Sequence, residues 1–444
     1  MAEPAEPAGP AAHGERKTAR VQNARETGAE SAERAEHAEG ERGAERTEPA
    51  LAATGWRRAP APLAVLRVCG WLGAGDVPVQ VLAAQSSHHL HRVRRADGAC
   101  AVVKQVPEHA ARAGRSLKRE LFVHRLAGWL PGVARALPKA LHLDEHRQVL
   151  ATESLSSAPA WPADNERGAI DDPVFAAALG RVLAGVHRAT RALPMPPTPA
   201  VGVLGLPQSL QVASTDRPAS TRALMRRIVA EPSLAALLNE GAARYQPGCV
   251  VHGDLKTENW LRRGRRSAAI FDWELAGQGD PAWDLGCLVA EAGLLCLRRA
   301  WSGADKGSGS GLGLGLGSGS GSGSGYGLGA TAGAAAGHDA AVRLFQAPAL
   351  PALHALWRAY AGVVGHGPRA LIDLASTEAN ERVVLYAVAR WLHVACEWAD
   401  HEQGTGPDSA ASTSASDSAL ALALSLAPAA RRATWAAALQ RQIS

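Results

Sequence analysis

Val250–Trp260 reads VVHGDLKTENW, and this stretch decides how the sequence is interpreted. An apolar, strand-like pair enters it, and His252, Asp254 and Asn259 follow in one short polar loop. Asp272 ends a second apolar run, AAIFDWE, thirteen residues after Asn259. An aspartate at the end of a strand has its carboxylate held in a defined position at that end. We therefore expect two adjacent strands that present Asp254, Asn259 and Asp272 toward one point.

The residue types in this set indicate a division of labour. An Asn and an Asp, with phosphates and waters completing the shell, are a common way to hold Mg²⁺. Asp254 is then free to accept a proton from an attacking hydroxyl. Metal ligands beside a proton acceptor are the arrangement that phosphoryl transfer needs.

Two motifs carry a resemblance to a known family. HGDLKTEN, at 252–259, matches the pattern H-G-D-x-x-x-x-N, and IFDWELAGQGDPAWDLG, at 270–286, is similar to a metal-binding segment. The sequence resembles the aminoglycoside phosphotransferase and choline kinase branch of the protein-kinase-like fold over about residues 60–400. The resemblance implies an α+β, bilobal protein with a small β-rich N-lobe and a larger helical C-lobe.

The resemblance also assigns roles in the transfer site. Asp254 orients and deprotonates the acceptor hydroxyl, and Lys256 touches the transferring phosphate. Asn259 and Asp272 bind Mg²⁺. His252 and Asp284 are expected to hold the loop by hydrogen bonds, and Leu183 with His187 matches a helix that precedes the loop in the family.

A nucleotide site is implied in the small lobe. Lys104 positions the phosphates of ATP and pairs with Glu120, sixteen residues later. The phosphate-covering loop reads AQSSHHLH and contains no glycine, so the hydroxyls of Ser86 and Ser87 are the expected donors. The adenine edge is expected to meet the backbone of the connector at Thr152, Glu153 and Ser154. His88, His89 and His91 are interpreted as a polar loop, because no cysteine or carboxylate completes a zinc set.

The chain is expected to divide into four parts. Residues 1–50 have almost no large apolar side chains and are interpreted as a disordered tail. The N-lobe is expected over 51–153 and the C-lobe over 154–400, with a flexible Gly/Ser insertion at 303–339. Residues 401–444 are interpreted as a polar linker and a helix interrupted at Pro428. In the N-lobe, Asp97-Gly98 predicts a two-residue hairpin turn of type I′.

Composition excludes several other classes. The net charge of +5 suits an anionic ligand, and no recognition helix, zinc-finger spacing or RNA-binding signature favours nucleic acid. No run of 18 apolar residues and no apolar signal core occurs, so we expect a cytoplasmic protein without a membrane partner. The six cysteines form no CxxC pair and are interpreted as buried thiols.

The phosphate acceptor stays open at this point. An aminoglycoside or another small amino alcohol is one candidate, with Glu274, Glu397 and Asp400 meeting its amines. A Ser/Thr residue of a precursor peptide in lanthipeptide-type biosynthesis is the alternative. A nucleotide-binding pseudokinase is the third hypothesis, and the choice between ATP and GTP is open.

Overall fold

The computed structural model describes residues 61–441, except for 86–87, 107–110, 156–168, 192, 194–200, 210–216, 308–348, 368 and 402–414. The predictions for the tail at 1–50 and for Ser86 and Ser87 therefore lie outside the described residues. Of the expected Gly/Ser insertion, only 303–307 are described, and they form the end of a helix.

A five-stranded antiparallel sheet forms the small lobe, in the spatial order β1-β2-β3-β5-β4. Its strands are β1 (Gln80–Gln85), β2 (His89–Arg94), β3 (Cys100–Gln105), β4 (Ala140–Asp144) and β5 (Val149–Glu153). Two further short elements of this lobe are helices α1 (Pro62–Val68) and α3 (Pro131–Ala134).

The turn between β2 and β3 lies where the sequence predicted it but has a different type. Arg95 and Ala99 pair through their backbones, and Gly98 adopts a left-handed φ of +85°. The turn therefore has three central residues with glycine at the left-handed position, which is the next commonest hairpin connection. The predicted two-residue type I′ turn is wrong.

Helix α2 (Ala111–Ala127) packs on the sheet and carries one site residue inward. Leu117 and Leu121 are fully buried and contact Leu150 of β5. Glu120 lies between them in sequence and is almost fully buried. Since residues three or four apart share a helix face, the packing of the two leucines fixes the direction of Glu120.

The large lobe is helical. Its helices are α4 (Pro173–Thr190), α5 (Leu206–Ser209), α6 (Ala219–Ala230), α7 (Pro232–Ala243), α8 (Pro281–Gly307), α9 (Leu350–Val364), α10 (Thr377–His401), α11 (Ala415–Leu426) and α12 (Ala429–Gln440). Helix α4 begins with Pro173 in its first turn, and the Asp172 carboxylate accepts hydrogen bonds from two backbone N–H groups of that turn. The α+β fold class is confirmed.

Helices α8 and α10 form the centre of the helical core, and they contact each other extensively. Trp283, Trp357 and Trp391 are fully buried in this core. Helices α11 and α12 pack against α10, with Trp391 and Trp435 in an edge-to-face contact at 6.3 Å between ring centroids. The segment after residue 400 thus adds two helices to the same core. Among the described residues, no helix is both long and apolar enough to cross a membrane.

Two small strand pairs lie within the helical lobe and carry the opening motif. Strand β6 (Cys249–Val251) pairs with β9 (Gly277–Gly279), and β7 (Trp260–Gly264) pairs with β8 (Ser267–Ile270). The loop between β6 and β7 contains HGDLKTEN, and β8 leads directly to Asp272. The two motifs are therefore held side by side, as the sequence predicted.

Candidate active site

The loop after β6 requires glycine at position 253. Gly253 has a φ of +86°, and a Cβ placed on it would lie 2.8 Å from the carbonyl oxygen of Leu275. A residue with a side chain would meet both a strained backbone and a clash. A glycine is therefore required between His252 and Asp254, because the backbone turns at this position.

Asp284 anchors this loop from the first turn of α8. Its fully buried carboxylate accepts from the backbone N–H of His252 at 2.7 Å and from that of Gly253 at 3.0 Å. The ring of His187, on α4, lies 3.1 Å from the same carboxylate through Nε2. His252 Nε2 in turn lies 2.9 Å from the carbonyl oxygen of Phe271, which joins the two motifs. The predicted anchoring roles of His252 and Asp284 are confirmed.

Asp254 lies between two cations. Lys256 Nζ is 2.9 Å from its Oδ2, and Arg390 Nη2 is 2.8 Å from its Oδ1. Burial raises the pKa of this carboxyl, but the charges of Arg390 and Lys256 outweigh burial and hold the pKa well below its usual range. Asp254 is therefore ionised and able to accept a hydrogen bond from a hydroxyl.

Asn259 and Asp272 present oxygen atoms beside this carboxylate. The Asn259 amide donates through Nδ2 to the backbone oxygen of Asp254 at 2.8 Å, which leaves its Oδ1 as a ligand atom. Asp272 adopts a left-handed φ of +64°. Its Oδ1 binds Lys104, and within the described part of the chain its Oδ2 has no hydrogen bond or ion pair. One amide oxygen and one carboxylate oxygen fit the ligand set that Mg²⁺ prefers.

Lys104 connects the small lobe to this point. Its Nζ lies 2.7 Å from Glu120 Oε2 and 2.5 Å from Asp272 Oδ1, and Glu274 Oε2 is 3.7 Å away. Burial lowers the pKa of the ammonium, but Glu120 and Asp272 outweigh burial and raise it above its usual range. Lys104 is therefore a fixed positive charge where the resemblance expects nucleotide phosphates.

The connector at the end of β5 has two backbone N–H groups that are already hydrogen-bonded. Thr152 and Glu153 end β5, and Ser154 follows it. The Glu153 N–H donates to the Lys139 carbonyl oxygen at 2.9 Å, and the Ser154 N–H donates to that of Cys100 at 2.8 Å. These two N–H groups are used within the small lobe, so a base that contacts Glu153 or Ser154 through the backbone meets their carbonyl oxygens.

Residues 51–306 match the sequence profile of the phosphotransferase enzyme family (APH), and this segment covers more than half of the chain. The chain belongs to this family. The prediction that the chain is a phosphotransferase of this family is thereby confirmed.

Several solved structures are similar to this chain at low sequence identity. A choline/ethanolamine kinase family protein from Mesorhizobium loti matches at 16% identity and a TM-score of 0.45, over 86% of this chain and 96% of that one. An aminoglycoside phosphotransferase from Alicyclobacillus acidocaldarius matches at 15% and 0.44, with the same coverage of both chains. A putative fructosamine-3-kinase from Thermobifida fusca matches at 18% and 0.42, over 82% and 99%. No relative among the curated proteins matches the sequence. Similarity at this level does not identify a substrate.

His88 is a residue of this phosphotransferase that the sequence interpretation missed. It lies in the bend before β2 and is only 1% exposed, whereas His89 and His91 belong to β2, so the interpretation as a polar loop is wrong for those two residues. The Nδ1 of His88 lies 3.3 Å from Glu274 Oε2, and its Nε2 lies 3.1 Å from the Ser116 hydroxyl on α2. The end of the loop that the resemblance expects to cover the phosphates is thus packed against Glu274, two residues after Asp272. No local pattern in the sequence signals this contact.

Helix α10 supplies two residues near Asp254 that were not foreseen, Arg390 and His393, beside the expected Glu397. Arg390 contacts Asp254, and His393 and Glu397 follow on the same face. Asp400, expected to meet an amine, instead binds Arg217 at 2.6 Å and accepts from the Thr221 hydroxyl on α6. The carboxylate of Asp400 is therefore engaged in helix packing.

Proposed function

We propose that the protein transfers the γ-phosphate of ATP to a hydroxyl of a small molecule, in a reaction that depends on Mg²⁺. The observation that supports this most directly is the ion pair between Lys104 and Asp272. It brings Lys104 of the small lobe to within 2.5 Å of the carboxylate of Asp272, which follows β8 in the helical lobe. Phosphoryl transfer needs positioning and charge stabilisation at one such point.

The chain's own residues would divide the work as follows. Lys104, steadied by Glu120, orients the nucleotide phosphates. Asn259 and Asp272 would hold Mg²⁺, which neutralises charge on the β- and γ-phosphate oxygens when bound. Asp254 accepts the proton of the acceptor hydroxyl while that oxygen bonds to the γ-phosphorus and ADP leaves. Lys256, next to Asp254, meets charge on the transferring phosphoryl group.

We further propose that the acceptor is of the amino alcohol or aminoglycoside type. Glu397 is a third exposed, and its contacts with Arg390 and His393, at 3.6 and 3.7 Å, are longer than hydrogen bonds. Its carboxylate therefore keeps lone pairs for a cationic amine near Asp254.

A cytoplasmic location, where ATP is abundant, agrees with the six free cysteines, because thiols persist in reducing compartments.

The test is transfer of label from γ-labelled ATP or GTP, with Mg²⁺, to a panel of amino alcohols, aminoglycosides and Ser/Thr peptides. The Asp254→Asn variant is the matched control, because it keeps the shape and removes the charge. We expect label on one small-molecule acceptor, a loss of about 10²–10⁴-fold in the variant, and unchanged nucleotide binding. Labelling of a peptide alone would refute the small-molecule acceptor. Nucleotide binding without transfer to any acceptor or to water would favour a pseudokinase, and no nucleotide binding would refute the proposal.

A further inference from the structure

Arg390 is the most deeply buried cation in contact with the proposed catalytic residue. It lies near the middle of α10, is only 1% exposed, and places Nη2 at 2.8 Å from Asp254 Oδ1. The contact is an ion pair without the alignment of a hydrogen bond. Because the guanidinium is held on a long packed helix, it is a rigid neighbour for the loop that carries Asp254.

The next turns of α10 hold Arg390 in place. Its Nη1 lies 2.8 Å from His393 Nδ1, and its Nη2 lies 3.6 Å from Glu397 Oε2. A guanidinium can only donate, so His393 must accept at Nδ1 and carry its proton on Nε2. Burial lowers the pKa of His393, in agreement with a neutral ring. Arg390, His393 and Glu397 thus form one ordered row that ends at Asp254.

We propose that Arg390 is a positioning residue for phosphoryl transfer: it fixes Asp254 through Oδ1, so that Oδ2 is the oxygen that meets the acceptor hydroxyl. Oδ2 contacts Lys256 and keeps a second lone pair, since a carboxylate oxygen can accept two hydrogen bonds. Without Arg390, the Asp254 carboxylate could turn about its last bond and present either oxygen. This inference rests on the proposed function, because it assigns a role within that reaction.

The same helix contains a matched structural pair. Arg382 lies two turns before Arg390, is also buried, and pairs with Asp280 at 3.3 Å and with Gln246 at 2.7 Å. This pair joins helix α10 to the start of α8 and does not touch Asp254. Substitution of Arg382 therefore measures how the loss of a buried arginine on α10 affects stability and kcat when the catalytic loop is not contacted.

The experiment compares Arg390→Met and Arg382→Met in the full chain, with Arg390→Lys as the conservative variant. Turnover is measured on the acceptor found by labelling, or as ATP hydrolysis with water as the acceptor, together with the Kd for Mg-ATP and the melting temperature. We expect Arg390→Met to lose about 100-fold in kcat, the effect of a misplacement near 1 Å, with little change in the nucleotide Kd. Arg382→Met is expected to melt lower but to keep kcat within a few-fold, and Arg390→Lys to recover part of kcat.

Equal losses of kcat in the two methionine variants would overturn the positioning role, as would an Arg390→Met protein that turns over like the wild type. If Arg390→Met does not fold, Arg390→Gln, which keeps a polar side chain without the charge, takes its place: a folded glutamine variant with wild-type kcat refutes the inference, and one with reduced kcat at unchanged nucleotide Kd supports it. A wild-type protein that neither binds nor turns over nucleotide would refute the proposed function itself, which is a different result.

Discussion

Replacement of Asp284 by Asn tests whether α8 holds the catalytic loop. The wild-type carboxylate accepts at both oxygens, from the Gly253 N–H at Oδ1 and from the His252 N–H and the His187 ring at Oδ2. An amide has a single acceptor oxygen. If that oxygen stays with His252 and His187, the amide NH₂ group faces the Gly253 N–H, donor against donor, at a position that was 3.0 Å from an acceptor.

The magnitude follows from these contacts. The substitution removes one hydrogen bond to a charged acceptor and leaves a buried N–H unsatisfied, so we expect a loss of about 2–4 kcal/mol in the free energy of unfolding. For a protein of this size that corresponds to roughly 2–5 °C in melting temperature. The same change loosens the backbone one residue before Asp254, and a shift near 1 Å at a reacting group costs about 100-fold in kcat.

Asp280→Asn is the matched control. Asp280 is also fully buried and accepts from two backbone N–H groups, those of Ala282 and Gln246, and from the Tyr386 hydroxyl. It is four residues from Asp284 but does not contact the catalytic loop. We expect both variants to melt lower, Asp280→Asn by more because Arg382 loses its carboxylate partner, and only Asp284→Asn to lose phosphate transfer. Equal activity of the two variants, measured at a temperature where both are folded, would refute the anchoring role of Asp284.

Three further predictions address the loop, the metal and the pH dependence. In Gly253→Ala, the left-handed backbone costs about 1–2 kcal/mol and the new Cβ clashes with the Leu275 carbonyl oxygen. The variant should therefore lose transfer activity. It should also melt lower than the control Gly70→Ala, because Gly70 has a similar φ but open space around it. Asp272→Asn should raise the Mg²⁺ concentration for half-maximal transfer by more than roughly tenfold, and an unchanged Mg²⁺ titration would contradict its role as a ligand. His124 is buried on α2, and burial followed by the Lys104 charge lowers its pKa from 6.5 to about 4. Between pH 6.5 and pH 4 only the unfolded chain takes up this proton, so the free energy of unfolding should fall by roughly 2 kcal/mol from pH 7 to pH 5. In denaturant melts at several pH values, His124→Gln should lose this part of the dependence of the free energy of unfolding on pH. The same pH dependence in the variant and the wild type would show that His124 is not its source.

The site was predictable from the sequence where its parts are local. Asp254 and Asn259 lie in one loop, Asp272 follows the neighbouring strand, and Glu120 faces Lys104 because one strand and one helix bring them together. Arg390 could not be placed in this way, because its contact with Asp254 depends on how α10 crosses the lobe. Its only trace in the sequence is the spacing of Arg390, His393 and Glu397 along one face of an apolar helix.

Local rules also failed at two places where other contacts decide the structure. The Asp97-Gly98 pair predicted a two-residue turn, but the backbone pairing of Arg95 with Ala99 places Gly98 at the end of a three-residue turn. His88 belongs to a run of polar residues, and its burial against Glu274 depends on the small lobe meeting the second motif. Register and contacts between lobes are set by packing over long sequence distances, which a local pattern does not contain.

The geometry of Lys104 explains how one residue can link the lobes and still meet a nucleotide. Its ammonium has three donors, and two of them are directed at Glu120 and Asp272, at 2.7 and 2.5 Å. Glu274, at 3.7 Å, is too distant to take the third as a hydrogen bond. A phosphate oxygen can therefore bind Lys104 without breaking either ion pair, so the lysine need not move when substrate arrives. The site is then preorganised at the lysine, so the positive charge stands in place before the phosphates bind.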